Sequence, residues 1–231
     1  MSAIHILKRD DLTLGGRLVA SLREAILSGS LAPGRHLKDR ELCEMFGVSR
    51  TLVREAVQAL AAEDLIEIVP HRGPVVATLD RRTVAELYRV RGVLEGLACA
   101  EFAVNADEAG RSSLSRIVDE LGALSGREGA EALVAVKNDF YRCLFEHCGN
   151  RVVGQTFTLL NNRITQMRRV TLSRPGRLAD TAREIAAIRD AMLARDPETA
   201  RRLAEDHVQR AARVADEHFQ ALEASHEKEQ S

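Results

Sequence analysis

The stretch Leu42-Cys43-Glu44-Met45-Phe46-Gly47-Val48-Ser49-Arg50-Thr51-Leu52-Val53-Arg54-Glu55-Ala56 decides how the first third of this chain is read. A short helical run ends at Gly47, Ser49 caps the next helix, and Val53, Ala56, Val57, Leu60 and Ala61 then recur at helical spacing. Two helices joined by so tight a turn have the proportions of a helix-turn-helix, whose second helix lays its N-terminal side chains on base edges in the major groove. Arg50, Thr51 and Arg54 occupy that end, and Arg40 lies nearby on the preceding helix. Arg50 and Arg54 stand one turn apart and project from one side, where a guanidinium fork can bond guanine O6 and N7 together. The plainer reading pairs them with Glu55 or Asp39 on the surface. Turn, cap, spacing and the hairpin that follows together favour DNA contact.

Working outward, Leu14, Leu18, Leu22, Ile26 and Leu27 predict a first helix over about residues 15–28, with Gly29 and Pro33-Gly34 beyond it; the second and third helices span about 38–46 and 49–64. Leu65-Ile66-Glu67-Ile68-Val69 and Val75-Val76-Ala77-Thr78-Leu79, around a Gly73-containing turn, read as a β-hairpin. Three helices and a hairpin make a winged helix-turn-helix over residues 1–79. From 80 to 231 the pattern is helical throughout. Thr83-x-x-Glu86 is a capping-box signature, and helices are expected near 83–103, 107–124, 128–148, 151–170, 178–194 and 197–223, with Asn150 and Asp196-Pro197 marking starts. The fold class is mainly α, a winged domain joined to an antiparallel bundle of about six helices.

Composition bounds the function. The 231 residues carry 33 Lys and Arg against 34 Asp and Glu, so no global basic field announces nucleic acid and any DNA contact must be local. Aromatic residues are only 3%, with no Trp, which argues against a stacking platform for single strands. No apolar run reaches membrane-spanning length, and the N-terminus lacks the apolar stretch of a signal peptide, so a soluble cytoplasmic chain is expected. Cys43, Cys99, Cys143 and Cys148 form no Cys-x-x-Cys pair and read as reduced thiols, the last two as core. Nucleophile-elbow, Walker and His-Glu-x-x-His patterns are missing, so no enzyme is expected.

Leu22-Arg23-x-x-Ile26 through Gly29, Pro33-Gly34, Leu42 through Ala56 and Arg72-Gly73 resemble the GntR family of bacterial transcription regulators. Leu52 stands where that family often has Pro, and either suits a first helical turn. The resemblance implies a homodimer whose two recognition-helix tips enter one major groove over a short palindromic operator, with the wings near the flanking minor groove. It places Arg40, Ser49, Arg50, Thr51 and Arg54 at contact positions, and His71, Arg72 and Gly73 at the wing tip.

The helical half resembles the FCD ligand-binding domain of the FadR-like subfamily. The likeness lies in Leu87-x-x-Val90-Arg91-x-x-Leu94-Glu95, the Phe140 to Asn150 stretch, Ala187-Ile188 through Ala191, Asp196 and His207. Many members hold a divalent metal through an Asp and three His, and the resemblance puts those positions at Lys137, Tyr141, Ile185 and His207. Protonated Lys and Ile offer no lone pair, so a lost metal site, and no cofactor, is expected.

Independently of the family, Lys137 lies on or beside the stripe Leu133, Val136, Phe140 and Leu144; Arg91 falls between Leu87 and Leu94 with Glu95 four residues on; His207 shares an inward face with Leu203, Ala211 and Val214. Snorkelling, a satisfied core histidine and a salt bridge explain each alone. Together they point to an anion site for a small carboxylate effector, with Lys137 supplying charge where the family's metal would have stood, and with Tyr141, Asn161 and Arg168 as further lining residues. The expectation is a DNA-binding transcription regulator, a repressor relieved by an organic acid. A metal-dependent sensor in a shifted register, with Asp139 as a ligand, an effector-free dimer and an enzyme fused to a DNA-binding domain are the alternatives.

Overall fold

A computed structural model describes residues 13–124, 130–172, 174 and 176–229. The chain divides into two compact units, Met1–Thr78 and Leu79–Ser231. In the first, α1 (Leu14–Leu27), α2 (Asp39–Phe46) and α3 (Arg50–Ala61) precede β1 (Ile66–Val69) and β2 (Gly73–Val76). Leu18, Leu22, Ile26, Leu42, Val53, Ala56, Val57 and Leu60 put the inner faces of the three helices into one core, which Ile66 and Val76 close from the hairpin. Leu14, expected on that stripe, is 57% exposed, because it is the first helical residue and has no neighbouring turn to cover it.

The hairpin is antiparallel, with Ile66 opposite Val76 and Val69 opposite Gly73. Its second strand starts and ends earlier than the apolar run suggests. A third segment explains this: Gly34 N donates to Val76 O, Val76 N to Arg35 O and Leu37 N to Pro74 O, so residues 34–37 cover the outer edge of β2. Pro33-Gly34 reads as a turn in the sequence, which hides the pairing beyond it.

In the second unit, α4 (Arg81–Asn105), α5 (Glu108–Leu124), α6 (Ala130–His147), α7 (Arg151–Leu172), α8 (Arg177–Leu193) and α9 (Pro197–Glu229) surround a core containing Phe102, Leu114, Leu121, Phe140, Leu144, Phe157, Ile164, Ile185 and Met192. The expected start of α6 near residue 128 and the side chain of Leu133 lie outside the described residues. The Thr83-Glu86 capping box is corrected: α4 begins at Arg81, and the Asp80 side chain accepts from Thr83 N at 2.6 Å. A carboxylate two residues ahead of Arg82 is the better acceptor for the exposed amides of that first turn. Asn150 and Asp196 do cap α7 and α9, accepting from Val153 N and Thr199 N. Cys99, Cys143 and Cys148 are buried free thiols. Among the described residues no helix is long and apolar enough to cross a membrane.

Candidate functional site

The α2–α3 turn is built by Gly47 and Ser49. Gly47 adopts φ 65°, the left-handed conformation that glycine takes without a Cβ penalty, and its N–H closes on Cys43 O. Ser49 stays extended, and its side chain accepts from Leu52 N at 3.4 Å, so its hydroxyl is engaged in capping the helix. With Val53, Ala56, Val57 and Leu60 holding the inner face, Arg50, Thr51, Arg54 and Glu55 are left exposed at the start of α3. Arg54 Nε lies 3.0 Å from Asp39 Oδ2, and Arg40 Nε lies 2.8 Å from Glu44 Oε1; the two arginine side chains are 72% and 84% exposed. Pairs so wet are worth little and exchange readily for phosphate or a base edge. The surface pairing weighed for Arg54 is therefore real, and it leaves the residue free to change partners.

At the hairpin tip His71 and Arg72 are exposed. His71 has φ 62° and Gly73 φ 87°. Histidine is among the few side chains that tolerate the left-handed region, and a Cβ on Gly73 would meet His36 Nε2 at 3.3 Å, so this tip is shaped by both residues.

The helical unit holds a second constellation, wholly buried. Arg91 and Arg168 are 1% exposed, His207 1%, Glu95 2% and Lys137 3%; Lys137 therefore does not snorkel. Arg91 Nε donates to Glu95 Oε1 at 2.6 Å and its Nη2 to the Tyr141 hydroxyl at 2.9 Å, while that hydroxyl donates to Glu95 Oε2 at 3.0 Å. Lys137 Nζ lies 3.2 Å from His207 Nε2, and His207 Nδ1 lies 2.5 Å from Glu184 Oε2. Glu184 also receives both Nη groups of Arg177, at 2.8 and 2.9 Å. Arg168 stacks on Tyr141, its guanidinium carbon 4.2 Å from the ring centroid. Asn161 takes no part in these bonds and lines an open cleft of about 400 Å³ between α6 and α7, which borders the cluster at Tyr141 and Asn138.

The electrostatics follow from burial and pairing. Burial and the neighbouring Arg91 and Arg168 hold the Lys137 amine well below its usual range. Burial and Lys137 together push His207 down to about 4, so at neutral pH it is uncharged. Burial would raise the Glu184 carboxyl, yet hydrogen bonds from His207 and Arg177 hold it down to about 2. Burial likewise opposes ionisation of Glu95, and Arg91 outweighs it.

Sequence reasoning missed Glu184, Arg177 and Asn138, which accepts from Arg168 Nη1 at 2.5 Å. Arg177 and Glu184 stand seven residues apart, two turns on one helix face, with Ile185 beside them; that spacing was the available signal.

These residues do not suit a divalent metal. At the four positions that the family resemblance assigns to ligands, Ile185 is fully buried without a donor atom and the Lys137 amine stands against the one ring nitrogen that His207 could offer. Among the described residues no three His, Cys, Asp or Glu side chains converge as a metal set would.

Residues 14–76 match the gntR family of bacterial regulatory proteins and residues 86–210 match the FCD domain. The Glc operon transcriptional activator of Escherichia coli strain K12 is 28% identical over 211 residues, covering 81% of this chain and 83% of that one. The gluconate operon transcriptional repressor of Bacillus subtilis strain 168 is 40% identical over 81 residues, 35% of this chain and 33% of that one. The chain spans less than three fifths of the length of the first curated relatives it matches. Among solved structures, McbR/YncC of E. coli superposes with a TM-score of 0.78 at 20% identity, covering 90% of this chain and all of that one, which speaks for the fold alone. A winged helix-turn-helix and a helical unit, matched in order along one chain, place it in the gntR family of bacterial regulatory proteins, among the members that carry an FCD domain.

Proposed function

We propose that this protein is a DNA-binding transcription regulator and not an enzyme, working in the cytoplasm as a homodimer on a short palindromic operator. Arg50 and Arg54 read base edges, Arg40 and Thr51 contact the backbone, and the wing tip at His71, Arg72 and Gly73 approaches the flanking groove. The observation that supports this best is the start of α3: a serine-capped helix end carrying exposed arginines one turn apart, held by a fully buried opposite face. Exposed Val90 and Val93 on α4 give the helical unit an apolar face suited to a second copy.

The helical unit binds a small carboxylate at the Lys137, Arg91, Tyr141, Arg168 and His207 cluster and thereby changes operator affinity. Cations buried this deeply are costly unless an anion shares the site. Coupling requires the acid to prefer one arrangement of the two DNA-binding heads, since a ligand that binds both equally shifts nothing. We take the sign as repression relieved by the acid; the gluconate operon relative is a repressor and the Glc operon relative an activator, so a promoter reporter with and without acid decides it. For the DNA half, duplexes selected from a random pool by the intact chain should converge on a palindrome. A pool that stays random after repeated rounds contradicts the reading.

A further inference from the structure

We propose that the acid sensed by the helical unit is a dianion, one carboxylate seated on the Nε and Nη2 edge of Arg168 and the other on the amine of Lys137. This rests on the reading of that unit as an acid sensor and adds what the acid must look like.

Two of the buried arginines already have a carboxylate. Arg91 has Glu95 and Arg177 has Glu184, each at 2.6 to 2.9 Å. Arg168 and Lys137 have none among the described residues: Arg168 gives Nη1 to the Asn138 amide oxygen, and Lys137 meets His207 Nε2. Arg168 Nε and Nη2 are both buried without a hydrogen-bond partner. An unpaired N–H in the interior forfeits its hydration with no return, and two on one guanidinium edge make a two-pronged donor.

That edge has a known complement in this molecule. Arg23 places Nε and Nη2 on the two oxygens of Glu63 at 3.0 and 2.6 Å, and Arg81 does the same to Asp216 at 2.6 and 3.1 Å. Those pairs are at the surface or only partly buried; Arg168 offers the same edge 1% exposed. Stacking on Tyr141 and the Asn138 bond fix the guanidinium plane before any ligand arrives, so little side-chain entropy remains to be lost on binding. One turn earlier on α7, the Thr165 hydroxyl is also buried without a partner.

A second negative group follows from Lys137. Its amine and the Arg168 guanidinium carbon stand 5.8 and 4.2 Å from the same Tyr141 centroid, so their separation cannot exceed the sum of those distances, a span that a diacid of a few carbons can bridge. A monoacid on the guanidinium leaves the amine with no carboxylate beside it. A dicarboxylate satisfies both, and its second carboxylate favours the charged form of an amine that burial otherwise depresses.

The test is thermal unfolding of the full chain with malonate, succinate or glutarate against propionate, butyrate or valerate, with inorganic phosphate as a compact anion, all at equal ionic strength. At millimolar concentration at least one diacid should raise the midpoint severalfold more than its matched monoacid and more than phosphate. Arg168→Gln and Lys137→Met should each reduce that shift to the monoacid level. Both variants remove a buried basic side chain that lacks a carboxylate, so their midpoints without acid should match or exceed the wild type; should Arg168→Gln fail to fold, Arg168→Lys keeps the charge, removes the two-pronged edge and should lose the diacid preference. Monoacid or phosphate shifts equal to the diacid shift, or variants that keep the preference, overturn the dianion while leaving an acid sensor in place. No shift with any acid removes the sensor reading as well.

Discussion

Arginine does opposite work in the two units. On α2 and α3 the guanidinium groups of Arg40 and Arg54 are bathed in solvent and lean on single carboxylates of their own unit. In the helical unit Arg91 and Arg168 are sealed inside, and every atom around them matters. Water makes the first pairs cheap to break, at about 0.2–1 kcal/mol each, which is what a side chain needs if it is to leave its partner for DNA. Burial makes the Arg91–Glu95 pair expensive to break, because a lost carboxylate strands a charge where nothing can hydrate it. Exchangeable partners suit side chains that must turn from the protein to DNA; fixed, costly partners suit a pre-organised interior.

The largest effect should come from breaking a buried pair. Glu95→Gln leaves Arg91 without its counter-charge and should cost about 3–5 kcal/mol of unfolding free energy, read as a lowered urea midpoint. A cost near the surface-pair range would erase the contrast between the units.

Mild acid should weaken the chain next. His207 has a folded value of about 4 against an ordinary 6.5. Between those values the unfolded chain binds a proton that the folded one refuses, so stability falls as pH falls through the window, by about 3 kcal/mol at most. Glu184, held at about 2, keeps its contribution until lower pH, whereas the depressed Lys137 amine acts in the same direction as His207, so the share that belongs to the histidine is the part His207→Gln removes. Urea midpoints at pH 7, 6 and 5 should decline, and His207→Gln should flatten the decline; an unchanged slope assigns it to other groups.

Arg50→Ala should cost roughly 1–3 kcal/mol on a selected duplex and relax discrimination at one base, with stability altered by less than about 0.5 kcal/mol. Equal weakening on all sequences would reduce Arg50 to a phosphate contact. Arg54→Ala should behave likewise, sharpened by Asp39→Asn, which removes the pair seen here and should shift stability by no more than about 1 kcal/mol. The smallest expected effect is zero: EDTA should leave the thermal midpoint and duplex affinity where they were, and one stoichiometric metal per chain in untagged protein would contradict the account of Lys137 and Ile185.

The elements most legible in the sequence were those set by local rules. Gly47, Ser49, Asn150 and Asp196 announce helix ends through backbone conformation and capping, and the structure places caps at these residues. The strand-like stretch 34–37 escaped because its pairing to β2 is non-local and its sequence looks like a turn. In the buried cluster, Arg91 with Glu95 was readable because both lie one turn apart on α4. Glu184 and Asn138 were not, since they meet His207 and Arg168 across helices, and periodicity reports which face a residue occupies without reporting what stands opposite. Asn161 shows the same limit: a position two turns from Arg168 on α7 lies in the open cleft that borders the cluster at Tyr141 and Asn138.

Acid bound inside the helical unit is proposed to change what the arginine-tipped head does. Fluorescence anisotropy of a palindromic duplex selected by the intact chain, titrated with and without the diacid that raises its thermal midpoint most, tests this directly. Duplex affinity should fall at least tenfold at saturating acid, about 1.4 kcal/mol, and should not fall with the matched monoacid. Identical binding curves with and without the diacid would contradict it.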